Sequence, residues 1–105
     1  MNRELRFTPA AAETLRGLED RPHQQSLLKQ LRKTLAILEV NPRHPSLQTH
    51  KFRSLRGPNG EEIFEAYVQN QTPGAYRVFF YYGPDREEDE RRIPVLTIVA
   101  ITPHP

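Results

Sequence analysis

The sequence predicts an α+β domain in which two N-terminal helices pack on one face of a small, mainly antiparallel sheet. Three observations carry that expectation. Leu27, Leu31, Leu35 and Leu38 recur at i, i+4, i+8 and i+11, with Leu28 beside them, so residues 23–40 form a helix with one apolar stripe. The segments "EIFEAYVQN" (62–70) and "AYRVFFYYG" (75–83) are strand-like and flank a Pro73-Gly74 turn, which is a hairpin pattern. The run "PVLTIVAIT" (94–102) is continuously apolar and rich in β-branched residues, as expected of a strand covered on both faces.

The remaining elements follow in order. "ELRFT" alternates Leu5 and Phe7 with charged or polar residues and reads as a short half-buried strand. Thr8-Pro9 supplies an N-cap followed by proline at the first helical position, so a first helix runs from Pro9 to about Asp20, with Leu15 and Leu18 on one face. Pro22 breaks it, and Asn41-Pro42 ends the second helix because the residue before proline is pushed out of the helical region. A connection of some twenty residues follows, within which "HKFRSL" is expected to be briefly extended, burying Phe52 and Leu55. The polar run "PDREEDERR" (84–92) reads as an exposed loop.

At 105 residues the chain is expected to form one domain, spanning 1–105. No run approaches the roughly 18 apolar residues of a membrane span, and "MNRELRF" has no apolar signal core. A cytoplasmic protein without a membrane partner is the expectation. There are no cysteines, and the four histidines lack a metal-site spacing, so no metal and no cofactor are expected. "GPNGEE" reads as a turn rather than a phosphate loop.

The net charge of +2 hides an asymmetry. Residues 1–57 carry eleven Lys/Arg against five Asp/Glu, whereas residues 58–105 carry four against eight. The segment 41–57 holds Arg43, Lys51, Arg53 and Arg56 and no acid. It suits either a polyanionic partner or plain solvation.

Alternation along the hairpin separates two faces. Tyr76, Val78, Phe80 and Tyr82 go with Phe64, Ala66 and Val68 toward the helices. Arg77, Phe79 and Tyr81 go with Glu65, Tyr67 and Gln69 onto a second face that too few helices remain to cover. Arg77 is therefore expected on an open surface, where its removal should leave the fold nearly intact. It serves there either as a cross-strand partner of Glu65 or as a phosphate-binding arginine among aromatic rings.

In its order of elements, its "NP" after the second helix, its "HKFRSL", its hairpin "IFEAYV…AYRVFFYY" and its final "IVAITPHP", the chain resembles the RelE/ParE superfamily of type II toxins, the RelE/HigB-like branch above all. The resemblance implies a RelE-like fold and a toxin neutralised by a cognate antitoxin. It further implies ribosome-dependent, metal-independent cleavage of messenger RNA. Arg77 stands at the "R" of the family's "YRVFY" pattern and would stabilise the scissile phosphate. His104 matches a position that supplies an acid or base, and Tyr67 replaces a basic residue and could donate a proton or stack. His50, Lys51, Arg53 and Tyr81 are the expected RNA-binding residues. The same superfamily implies two alternatives: a ParE-like protein that binds a target such as DNA gyrase, and a catalytically inert stand-alone member of the fold.

Overall fold

The computed structural model describes residues 2–69 and 74–103. Strand β1 (Glu4–Phe7) leads into helix α1 (Pro9–Glu19), a single 3-10 turn (Pro22–Gln24) and helix α2 (Gln25–Val40). A second 3-10 turn (Pro45–Leu47) precedes β2 (His50–Arg56), β3 (Glu62–Tyr67), β4 (Tyr76–Tyr82), β5 (Arg86–Glu88), β6 (Arg91–Ile93) and β7 (Val95–Pro103). The main sheet has the order β1-β7-β4-β3-β2; β1 runs parallel to β7 and the other pairs are antiparallel. The α+β class with two helices against a mainly antiparallel sheet is thus the observed one.

Local chemistry sets these elements. The Thr8 hydroxyl accepts from the Ala11 N–H, capping α1, and donates to the Val99 carbonyl, tying the helix start to β7. The stripe of α2 is buried as Leu27, Leu28, Leu31, Leu35 and Leu38, against Val78, Phe80, Leu96 and Ile98 of the sheet. Each such side chain taken fully out of water contributes roughly 1.5–3 kcal/mol. Thr34, buried on the same helix, donates its hydroxyl to the Tyr67 carbonyl. Between β4 and β7 the register shifts: Phe79 faces Ala100 while Phe80 faces Ile98, so Val99 is an inserted residue. That bulge keeps both Ile98 and Ile101 on the helix side.

Two expectations from the sequence are corrected. The second face of the sheet is not open. Ile63, Phe79 and Tyr81 are buried there, with Phe52, Val99 and Ala100 packed on them. The cause is β2: it pairs with β3 at His50↔Glu65 and Lys51↔Phe64, then again only at Arg56↔Glu62, with shifted register between. The unpaired arch 52–55 sets the Phe52 ring against Phe79, edge to face at 4.9 Å. Second, residues 84–92 are not all loop. Arg86–Glu88 and Arg91–Ile93 pair as a ribbon, with Glu87 opposite Arg92 and Glu88 opposite Arg91. Opposite charges across the strands hold a pair that has no apolar face. The Arg86 guanidinium also grips the Glu4 carboxylate with two 2.9 Å hydrogen bonds.

Candidate functional site

Three strands place one compact polar group on the second face. His50 lies directly opposite Glu65 across β2 and β3, and Tyr67 lies directly opposite Arg77 across β3 and β4. The Arg77 guanidinium sits over the Tyr67 ring, 3.7 Å from its centroid. The His50 ring meets the same tyrosine edge-on, with centroids 5.9 Å apart. Glu65 is only 1% exposed; its carboxylate is 2.7 Å from His50 Nε2 and 4.0 Å from Arg77 Nε. This is a nearly buried carboxyl group between an imidazole and a guanidinium.

The His50 ring is constrained at both nitrogens. Nδ1 is 2.9 Å from the Gln48 carbonyl, which can only accept, so Nδ1 carries a proton. Nε2 faces the Glu65 carboxyl, so a second proton lies between the two side chains, as imidazolium with carboxylate or imidazole with carboxylic acid. Gln48 is held in the left-handed region at φ 50°, which turns its carbonyl to this position. The His50 side chain remains 47% exposed, so the ring is within reach of solvent while its carboxyl partner is not.

Arg77 is deployed differently from the expectation. It is 7% exposed, and its Nη1 donates to the carbonyls of Gln69 (3.0 Å), Tyr76 (3.1 Å) and Ala75 (3.3 Å), closing the end of the hairpin. Its Nε is buried without a hydrogen-bond partner, and Nη2 has none among the described residues. One nitrogen of the fork thus serves the fold, while the Nε–Nη2 edge makes no hydrogen bond among the described residues and faces the Glu65 carboxylate only through the 4.0 Å ion pair.

The other expected residues separate from this group. Lys51 sits beside Phe64 in the ladder, and its ammonium reaches Glu62 at 3.3 Å. Arg53 is exposed, and its side chain makes no hydrogen bond or ion pair among the described residues. Tyr81 is 2% exposed and its hydroxyl accepts from Arg6 Nη2, so its ring offers no surface for stacking, contrary to the open face expected for it. His104 lies outside the described residues, as does Pro73 of the expected turn. Sequence reasoning named His50 for RNA contact but missed its pairing with Glu65; that link depends on the β2–β3 register, which no residue pattern in the twenty-residue connection announces. Among the described residues no cluster of His, Asp and Glu suits a metal ion, and no helix is long and apolar enough to cross a membrane.

The five-stranded order with two helices on one face defines the class: an α+β domain of the RelE-like kind. The solved structure of the YoeB dimer from Staphylococcus aureus has the same architecture. It aligns over 99% of each chain with a TM-score of 0.60 at 12% sequence identity, a likeness in fold. No family model matches the sequence, and no curated protein does.

Proposed function

We propose that this chain is the toxin of a type II toxin–antitoxin pair and cleaves messenger RNA on the ribosome, without a metal, using the sheet face that carries His50, Glu65, Tyr67 and Arg77. The observation that supports the reading most is the 2.7 Å contact of His50 Nε2 with the Glu65 carboxyl, beside a guanidinium edge that makes no hydrogen bond among the described residues. In such a cleavage the RNA supplies its own nucleophile. O2′ loses a proton and bonds to phosphorus, the P–O5′ bond breaks, and O5′ takes up a proton, leaving a 2′,3′-cyclic phosphate and a 5′-hydroxyl. The protein must move two protons and stabilise the phosphate oxygens.

His50 is the group to move a proton, because its ring is solvent-accessible and positioned at both nitrogens. Glu65 takes or returns the charge as the ring changes state. The Nε–Nη2 edge of Arg77 has the side-on geometry that pairs with phosphate, and it becomes available when the residues covering it move aside. His104 as a second acid or base, Tyr67 as a stacking surface, and Lys51 and Arg53 as contacts to the nucleic acid remain part of the proposal. So do a cognate antitoxin as partner and a cytoplasmic site of action.

A second reading has one observation in its favour. Arg77 is buried and spends Nη1 on three carbonyls, as a purely structural arginine would. That suits a ParE-like protein acting on a protein target such as DNA gyrase, or an inert member of the fold. Primer extension on messenger RNA after induction of the wild type and of His50→Gln in a bacterial host separates these readings. Cuts within translated regions for the wild type alone support the nuclease. Growth arrest without cuts moves the assignment to a protein target, and neither arrest nor cuts leaves an inert domain.

A further inference from the structure

The arch of β2 has a hollow on each side of it. On one side a cleft of about 180 Å³ is lined by Phe52, Leu55, Phe79, Ala100, Thr102 and Pro103, with Thr102 contributing the one polar side chain. On the other side a smaller hollow of about 130 Å³ is walled in part by Lys51, Arg53 and Arg56, with the Glu62 carboxylate on the same wall paired to Lys51 and leaving the two arginines as its free cations among the described residues. Phe52 and Leu55 line both hollows. Leu55 is 52% exposed, one of two large hydrophobic side chains the described surface leaves so open. A bulged edge strand would ordinarily hide such a residue or replace it with a charge.

The apolar cleft continues the site already described. Thr102 is the ladder partner of Arg77, and Phe79 is the partner of both Glu65 and Ala100. Cleft and polar group therefore occupy adjoining rows of one sheet face. A ligand that fits both has a flat apolar face for the cleft and an anion for the guanidinium groups beside it. Nucleotides of a single strand have that chemistry.

We propose that the arch of β2 binds one nucleotide of a single-stranded RNA, its base lying on the half-buried Phe52 and the exposed Leu55 at the mouth of the cleft and the adjoining phosphate held by Arg53 and Arg56. The inference rests on the RNA reading above and extends it to how the strand is gripped. With only Thr102 to offer a hydrogen bond, the cleft cannot read base edges, so it accepts any of the four bases. Stacking of this kind is sequence-tolerant, and the basic residues track the backbone. An acidic peptide with one aliphatic anchor fits the apolar lining as well; continuity with Arg77 and His50 favours the nucleotide.

Fluorescence anisotropy with labelled six-residue strands tests the proposal without altering the protein. Oligo(U) and oligo(A) should bind within about threefold of each other, and an abasic ribose-phosphate strand about five- to a hundredfold more weakly. Leu55→Asp, at an exposed position, should lose at least about tenfold in affinity for oligo(U) at an unchanged melting temperature. Abasic strand binding as tightly as RNA overturns the proposal, as does wild-type affinity in Leu55→Asp or no RNA binding by the wild type. Stronger competition by a glutamate-rich peptide carrying a single leucine than by RNA assigns the cleft to a protein and also overturns it. Primer extension judges the cleavage reading separately: cuts that persist in Leu55→Asp, with the abasic strand binding as tightly as RNA, remove the cleft and leave the nuclease standing.

Discussion

Replacing Arg77 by alanine is the perturbation whose outcome the structure changes most. An arginine on an open face could be removed freely; this one cannot. The substitution deletes three hydrogen bonds from Nη1 to the carbonyls of Gln69, Ala75 and Tyr76. It also removes the guanidinium stacked 3.7 Å above the centroid of the Tyr67 ring, a contact contributing roughly 0.5–2 kcal/mol. Glu65 is left 1% exposed with one cationic neighbour fewer. Breaking a buried pair costs about 3–5 kcal/mol, whereas relieving the unbonded Nε returns about 1–3 kcal/mol, so a net loss of about 3 kcal/mol is expected. Against a total stability of about 5–15 kcal/mol this is large, and it should lower the melting temperature by more than about 10 °C. Urea denaturation followed by circular dichroism gives the value directly, and Arg77→Lys should recover only part of it because one ammonium cannot span three carbonyls and a ring face. A change within about 0.5 kcal/mol of wild type would refute the reasoning and show the hairpin end to be closed without Arg77. It follows that lost toxicity in Arg77→Ala cannot by itself be read as lost catalysis.

Other outcomes follow from single features of the fold. Thr8→Ala removes both the cap on Ala11 N–H and the tie to the Val99 carbonyl, so chemical denaturation should show a loss of about 1–2 kcal/mol. The Arg86 hydrogen bonds hold the Glu4 carboxyl below its ordinary pKa, so this pair adds stability above the unfolded-state pKa and loses it as pH falls through the lowered folded value. A carboxyl titration by NMR should place the Glu4 midpoint below the usual glutamate range and return it upward in Arg86→Ala. Tyr81→Phe leaves Arg6 Nη2 without its partner and should cost about 1 kcal/mol in urea, leaving the sheet intact.

The parts legible in the sequence were those governed by local periodicity. The leucine stripe of α2, the Thr8-Pro9 start, the Asn41-Pro42 stop and the two faces of β4 all follow from spacing over a few residues. The alternation that sent Arg77 and Phe79 to one side was sound; the inference that this side stays open was not. Covering it required the 52–55 arch of β2, which depends on a register shift against β3 and has no local signature. The β5–β6 ribbon escaped for a different reason, since its strands are charged on both faces and are held by cross-strand pairs. The adjacency of Arg77 and Tyr67 on one face follows from the alternation of the hairpin alone. The His50–Glu65 contact joins residues fifteen apart through a long connection, and only the three-dimensional register brings them together.

The central claim is that the face carrying His50, Glu65, Tyr67 and Arg77 moves protons for attack by a 2′-hydroxyl. The most direct measurement is the chemistry of the RNA ends left by purified protein acting on messenger RNA in translating ribosomes. Fragments ending in 2′,3′-cyclic phosphate and beginning with 5′-hydroxyl, absent with a folded His50→Gln variant, are the predicted result. Fragments with 5′-phosphate ends, or cuts that persist at full rate in His50→Gln, would contradict it.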